Sequence, residues 1–181
     1  MDLCEPLVSE NTDMQIETVI NTHSHALLRY CHSILCDYHE AQDAVQITFI
    51  KAWQNKNKFN GGEKDLLNFL YKIAYNTCID AIRKRNHRQK LKSPIEPAKQ
   101  NYAYIPENIK AALMSLSPLD RAVTYSHAVD EIPFGELAKI YDKTAAALRK
   151  RYERARKKLS KMLEKDYPYY NHAKGEKNHD E

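Results

Sequence analysis

The fold is decided by residues 134–159, which read FGELAKIYDKTAAALRKRYERARKKL. Apolar residues recur every three or four positions on both sides of a polar break at 142–144, so each side predicts an amphipathic helix. The first helix is short, and the second, which begins at Ala145, is long and rich in Lys and Arg. A short helix, a tight turn and a basic helix are typical of a helix-turn-helix unit.

The preceding residues predict two more helices of the same domain. Pro106 can open the first of them. Ser117 followed by Pro118 is typical of a helix start, because the serine can cap the free N–H groups and proline fits the first helical position. The apolar residues of 119–129 continue that helix. We therefore expect residues 105–165 to form a small helical domain.

The first half of the chain predicts another helical domain, over residues 14–92. Apolar residues recur at helical intervals in three segments, 14–36, 40–53 and 66–85. The intervening residues 55–65 include two adjacent glycines, which is typical of a loop.

The segments outside these domains lack apolar periodicity. Residues 93–104 contain two prolines and predict a flexible linker, and the polar residues 166–181 predict a disordered tail. The chain has only 4 glycines in 181 residues, which argues against an all-β fold rich in tight turns. The expected fold is all-α, with two small helical domains joined by a flexible linker.

Charge is distributed unevenly along the chain. Residues 1–43 contain eight acids and one base, residues 83–92 contain six bases and no acid, and residues 143–165 contain ten bases and two acids. The pattern indicates one acidic surface and two separate contacts with a polyanion. Solvated helix faces would explain the same charges.

The basic helix is a candidate DNA-binding element. Lys and Arg neutralise phosphates, while side chains near the start of such a helix read base edges. Candidates for base reading are Lys143, Thr144, Arg149, Lys150 and Arg151, and candidates for phosphate contacts are Arg154, Arg156 and Lys157. Basic amphipathic helices also bind membranes or acidic partners.

Aromatic and basic residues lie together on the third helical segment and the loop before it. Rings that stack on bases and cations that contact the backbone are typical of single-strand binding. The residues concerned are Phe59, Tyr71, Lys72, Tyr75, Asn76 and the basic cluster of 83–88. The alternative is that these rings pack in the core.

No arrangement of side chains predicts catalysis. The sequence contains no glycine-rich phosphate loop, nucleophile elbow or HExxH motif. A group of histidines and cysteines could suggest a metal enzyme: His23, His25, Cys31, His32, Cys36 and His39. Their spacing matches no standard zinc pattern, and packed thiols with surface histidines are the favoured interpretation. We expect no catalytic residue, no metal and no cofactor.

The N-terminus is acidic and has no signal-peptide core, and no run approaches the ~18 apolar residues of a membrane span. We therefore expect a cytoplasmic chain that is not embedded in a membrane.

Four stretches together resemble a known family, the extracytoplasmic-function (ECF) sigma factors of the sigma-70 family. Residues 40–59, EAQDAVQITFIKAWQNKNKF, and residues 66–85, LLNFLYKIAYNTCIDAIRKR, are similar to region two of that family. Residues 116–123, LSPLDRAV, and residues 132–159 resemble region four. The resemblance covers most of residues 20–163.

The resemblance implies a sigma factor that binds core RNA polymerase and directs promoter-specific initiation. Region two would dock on the clamp helices of the polymerase through Asp43 and Gln46 and melt the −10 element. The loop of 59–65 would capture a flipped base, and the next helix would hold the single strand. The implied −10 contacts are Phe59, Asn60, Gly61, Tyr71, Lys72, Tyr75, Asn76, Asp80, Arg83 and Arg85.

Region four would read the duplex −35 element and present its outer surface to the polymerase flap. The implied DNA contacts are Lys143, Thr144, Ala145, Arg149, Lys150, Arg151, Arg154 and Arg156. The family also implies an anti-sigma factor as regulator. Ile47 replaces the usual Glu of the clamp motif, and Ala146 and Ala147 replace a frequent Gly-Thr at the start of the recognition helix.

Two rival functions remain at this point. A stand-alone helix-turn-helix regulator would bind duplex DNA without polymerase, commonly as a dimer on a palindromic site. It would leave the aromatic helix of the first domain unexplained. A metal-dependent enzyme would require bound zinc or iron.

Overall fold

The structure is a computed structural model that describes residues 16–59, 61–91 and 105–164. These residues form seven α-helices and one short 3-10 helix and contain no strand, so the predicted all-α class is confirmed. The predicted linker and tail lie outside the described residues.

The first unit consists of α1 (Ile16–Leu35), α2 (Tyr38–Gln54) and α3 (Glu63–Leu91). Asp37 caps α2, since its carboxylate accepts a hydrogen bond from the backbone N–H of Glu40 at 2.9 Å. The segment predicted as a loop contains the 3-10 helix Lys56–Lys58.

The second unit consists of α4 (Glu107–Met114), α5 (Pro118–Ala128), α6 (Phe134–Tyr141) and α7 (Ala145–Leu163). Ser117 caps α5 as expected, because its hydroxyl accepts from the N–H of Asp120. Thr144 caps α7 in the same way. Between α6 and α7, Asp142 adopts a left-handed conformation with φ of 51° that ends α6 and turns the chain.

The first unit is built around residues of α1, α2 and α3 that are inaccessible to solvent, among them Leu27, Ile34, Ala44 and Leu70. In the second unit α7 packs across α4, α5 and α6. Leu148 on α7 and Leu137 on α6 are both fully buried. The apolar periodicity therefore predicted the inner faces of these helices correctly.

The two units pack directly against each other. Helix α1 contacts α5 and α3 contacts α6, so one buried cluster runs through both units. Tyr30 of α1 and Tyr141 of α6 are buried in this cluster, and their hydroxyl groups lie 3.0 Å apart. The contact between the units lies on the aromatic face of α3, so it covers part of the candidate site.

Candidate nucleic-acid interface

The outer face of α7 is a continuous basic stripe. Lys150, Arg154, Lys157 and Lys161 are all exposed and are spaced by three or four residues, so they share one side of the helix. The start of the helix is also open, since Lys143, Ala146 and Ala147 are exposed. A helix with this exposed face can enter the major groove while its opposite face packs against the rest of its unit.

Other basic side chains of α7 have partners within the protein. Arg151 lies 2.8 Å from a carboxylate oxygen of Asp120 on α5, and both side chains are mostly buried. Lys158 donates a hydrogen bond to the carbonyl oxygen of Ser115 at 2.6 Å. Arg149 lies over the ring of Phe134 on α6, 5.4 Å from its centroid. Arg151, which the sequence suggested for base reading, therefore joins α7 to α5 in this structure.

Two further candidates on α7 are used locally. The hydroxyl of Thr144 caps the helix, and Arg156 pairs with Glu153 at 3.0 Å. Ala145 is half-buried at the first position of the helix.

The aromatic face of α3 is covered by the second unit. Tyr71 is only 1% exposed, since its hydroxyl meets Asp130 of the second unit and its ring packs on Tyr30 of α1, within the first unit, with centroids 4.5 Å apart. Tyr75 is half-buried, and its ring meets the ring of Tyr141 edge-on at 5.0 Å. Both rings were predicted to stack on bases, and in this structure each contacts the ring of another tyrosine.

Three carboxylates of the second unit bind polar side chains along α3. The amide nitrogen of Asn68 donates to Glu136 at 2.8 Å, and the hydroxyl of Tyr71 donates to Asp130 at 2.6 Å. The ammonium of Lys72 lies 3.0 Å from a carboxylate oxygen of Asp142. The α3 partners occupy positions three and four residues apart, so they form one stripe on the helix.

Burial sets the protonation of the groups in this contact. Burial and the hydrogen bond to Asp130 raise the pKa of the Tyr71 phenol well above its ordinary value. Burial also raises the pKa of the Asp130 carboxyl, although the bond from Tyr71 and the charge of Arg29 act in the opposite direction. The phenols of Tyr30 and Tyr141 are likewise held protonated by burial. These hydroxyl groups therefore act as neutral hydrogen-bonding groups between the units.

The remaining −10 candidates on α3 lie beyond the covered face. Asn76 and Arg83 are exposed, and Arg83 lies 3.5 Å from Asp80. Arg85 is paired instead with Glu40 on α2 at 2.9 Å, with both side chains about three-quarters buried. Burial raises the pKa of the Glu40 carboxyl, and Arg85 opposes that shift.

The loop before α3 is only partly open. The ring of Phe59 packs on Phe69 of α3, with centroids 5.6 Å apart. Gly61 is exposed, and a Cβ atom at its position would lie 2.5 Å from the Cβ of Asp65, so the close approach of the loop to α3 requires glycine. Asn60 lies outside the described residues.

The outer face of α2 combines polar and large apolar side chains. Asp43 and Gln46, the predicted polymerase contacts, are exposed on this face. Beside them are Ile47, Ile50 and Trp53, which are 42%, 56% and 40% exposed. Large apolar side chains that share one exposed helix face are typical of a protein-binding surface. The exposed apolar residues of this face were not predicted, because an apolar side chain looks the same in the sequence whether it is buried or exposed.

Comparison with known proteins places this geometry in a family. The family described as sigma-70 region 2 matches residues 19–88, which form most of α1 to α3. The ECF RNA polymerase sigma factor SigW of Bacillus subtilis (strain 168) is 25% identical over 163 residues, covering 80% of this chain and 87% of SigW. The chain is therefore similar to the ECF sigma factors of the sigma-70 family, both in the residues that match region 2 and over most of its length.

A second relative is also an ECF sigma factor, and two solved structures share the fold. SigG of Mycobacterium tuberculosis (strain CDC 1551 / Oshkosh), also an ECF sigma factor, is 37% identical over 62 residues, which cover 34% of this chain and 16% of SigG. The sigma factor RpoE from Bartonella quintana, in complex with the anti-sigma factor NepR, has a TM-score of 0.68 at 24% identity, covering 82% of this chain and 96% of RpoE. CnrH, in complex with the cytosolic domain of CnrY, has a TM-score of 0.63 at 24% identity, covering 83% of this chain and 88% of CnrH.

The histidines and cysteines of the described residues do not form a metal site. Within residues 16–59, 61–91 and 105–164 no three His, Cys, Asp or Glu side chains lie close enough together to hold a metal ion. Cys31, Cys36 and Cys78 are buried free thiols. Burial lowers the pKa of His32, so this imidazole is favoured in its neutral form.

None of the helices in the described part of the chain is long and apolar enough to cross a membrane.

Proposed function

We propose that this sigma factor binds core RNA polymerase through α2, holds the melted −10 strand on α3 and reads the duplex −35 element with α7. It directs transcription initiation as its family does, and it needs no catalytic residue of its own. The observation that carries the proposal is the match of residues 19–88 to sigma-70 region 2, because a stand-alone regulator would leave this unit without a role. A chain with this function works in the cytoplasm, where promoters and polymerase are found.

The docking surface we propose for the polymerase is the exposed face of α2. Asp43 and Gln46 supply polar contacts, and Ile47, Ile50 and Trp53 supply apolar area beside them. Because Ile47 stands where the family usually has Glu, this chain relies more on apolar burial at the clamp than the family pattern does. Full burial of a fully exposed side chain of this size contributes about 1.5–3 kcal/mol, and these side chains, which are already partly buried, contribute less.

On α7, the stripe of Lys150, Arg154 and Lys157 contacts phosphates, while Lys143 and Arg149 at the start of the helix lie nearest the base edges. The exposure of this stripe supports the assignment. Arg151, whose partner Asp120 lies on α5, serves in this proposal to position the helix.

On α3, Tyr71, Lys72, Tyr75 and Asn76 contact the single strand, and the basic residues of 83–88 hold its backbone. The second unit covers part of this face, so α3 becomes available only when the units separate. By analogy with RpoE, which was solved with the anti-sigma factor NepR, we also propose an anti-sigma factor as a partner.

Binding of the labelled protein to purified core polymerase tests the proposal at α2. Replacement of Ile50 by Glu places a charge in an apolar contact, and we expect affinity for core to fall by about tenfold or more. The matched control is Val129→Glu, since Val129 is 57% exposed at the end of α5 and lies outside the proposed docking face.

The proposal fails at this face if Ile50→Glu and Val129→Glu bind core as the original chain does. It fails entirely if the original chain does not bind core.

A further inference from the structure

The second unit is acidic on the side that faces α3. Residues 130–142 contain four acids and one base, although α7, which follows, carries the basic stripe. Three of the four acids, Asp130, Glu136 and Asp142, contact α3. The fourth, Glu131, is exposed. The acids of this segment are therefore concentrated on the surface that covers the −10 face.

The contacts these carboxylates make are of the kind that nucleic acid would make. An amide, a phenol and an ammonium group on α3 each donate to an anionic oxygen. Phosphate and base oxygens accept from the same three kinds of donor. The ring of Tyr141 meets Tyr75 edge-on and covers part of the aromatic surface that a base would otherwise contact.

From this correspondence we propose that the helix-turn-helix unit is an internal lid, whose Asp130, Glu136 and Asp142 carboxylates occupy the −10 face of α3 in place of single-stranded DNA. The inference rests on the proposed function, because that function identifies the ligand of α3. The lid makes the free sigma factor a weak binder of single strands, since only the fraction of molecules that is open can bind.

The lid is suited to reversible opening. Its polar contacts hold donors of α3 that DNA can satisfy in turn, so α3 loses no hydrogen bonds when the strand replaces the lid. The released carboxylates return to water, where they are well solvated. The pair of Lys72 and Asp142 is largely exposed, with 43% and 74% of the side chains accessible, so it contributes less to closure than the more buried contact of Tyr71.

A triple variant of the full chain, Asp130→Ala, Glu136→Ala and Asp142→Gly, tests the lid. Gly is chosen for Asp142 because its backbone is left-handed. The matched control is Glu17→Ala, Glu107→Ala and Glu131→Gly, which removes three exposed acids away from α3 and includes another left-handed position. Both variants raise the net charge equally, so non-specific attraction to DNA is the same.

The first measurement is the binding of a fluorescein-labelled single strand of mixed sequence, by anisotropy. The second is the radius of gyration, by small-angle X-ray scattering. We expect the lid variant to bind the strand on the order of tenfold more tightly than the control and to be more extended. Equal affinity and equal size of the two variants would overturn the inference.

If circular dichroism shows that the triple variant has lost its helices, the single variant Asp142→Gly replaces it, with Glu131→Gly as control and a smaller increase in the same direction expected. Initiation with core polymerase, measured on the original chain, separates the two proposals. If the original chain supports initiation but the two variants do not differ in strand affinity or in size, the proposed function stands and the lid is refuted. Absence of initiation refutes the proposed function, whatever the scattering shows.

Discussion

Three tyrosine hydroxyls lie between the two units and are out of contact with solvent. Tyr30 and Tyr141 bond to each other, Ser126 bonds to Tyr141, and Tyr71 bonds to Asp130. Burial raises the pKa of all three phenols. The folded chain therefore holds these protons more tightly than the unfolded chain does.

This predicts a pH dependence of stability with a definite sign. The contribution of the three phenols is fully present below their ordinary pKa of 10.0 and is lost as the pH rises above it. In an alkaline titration followed by tyrosinate absorbance, we expect the share of Tyr30, Tyr71 and Tyr141 among the 12 tyrosines to appear only when the chain unfolds.

Tyr71→Phe serves as the control for this titration. It should reduce by one the number of tyrosines that ionise only when the chain unfolds. The account would be contradicted if all the tyrosines ionised together near their ordinary pKa while the helices stayed intact.

Single residues also show which contacts can be predicted from the sequence and which cannot. The caps at Ser117 and Thr144 were predictable, because capping depends on residues within one turn of the chain. The partners of Arg85 and Arg151 were not, because Glu40 and Asp120 lie 45 and 31 residues away in sequence. A basic residue on a predicted helix looks the same whether it meets DNA or a carboxylate of another helix.

At the scale of elements, α7 has two different basic surfaces. Lys150 and Arg154 face outward, while Arg151 and Lys158 lie toward α5 and α4. The helix therefore separates DNA contact from internal support, although the charges alternate along a single stretch of sequence.

This separation predicts opposite results for two double variants of equal charge. Lys150→Ala with Arg154→Ala should weaken binding to a short duplex and reduce its salt dependence by about two in log–log slope, because two phosphate contacts are lost. Arg151→Ala with Lys158→Ala should change the salt slope much less and lower the free energy of unfolding by about 1–3 kcal/mol, since the Asp120 carboxylate and the Ser115 carbonyl lose their donors.

Anisotropy at several salt concentrations and urea denaturation measure the two effects. If the two double variants had the same salt slope and the same stability, the assignment of the two surfaces would be wrong.

The observed ends of the helices agree with the predicted ones where the signal depends on residues close together in the sequence. The turn after α6, the proline start of α5 and the inner face of α7 were all predicted. Helix α3 begins at Glu63, three residues before the predicted Leu66, because the carboxylate of Asp65 accepts from the N–H of Gly62 and organises the first turn. That bond depends on the conformation of the loop, which apolar periodicity does not report.

At the scale of the whole molecule, the contact between the units is the feature that the sequence did not reveal. The predicted two helical units are present, but Asp130, Glu136 and Asp142 gave no signal as a group, since their common surface exists only when α6 lies on α3. The sequence suggested that Tyr71 and Tyr75 bind bases, and in the structure Asp130 and Tyr141 of the second unit contact these two side chains.

The central claim is that this chain confers promoter specificity on core RNA polymerase. The most direct test is transcription in vitro from a promoter library, with purified core polymerase in the presence and absence of the chain. We expect initiation at a discrete set of promoters, and only when the chain is present. The shared −10 and −35 sequences can then be read from that set. It would be contradicted if core gained no initiation and did not bind the chain, while the chain alone bound duplex DNA tightly.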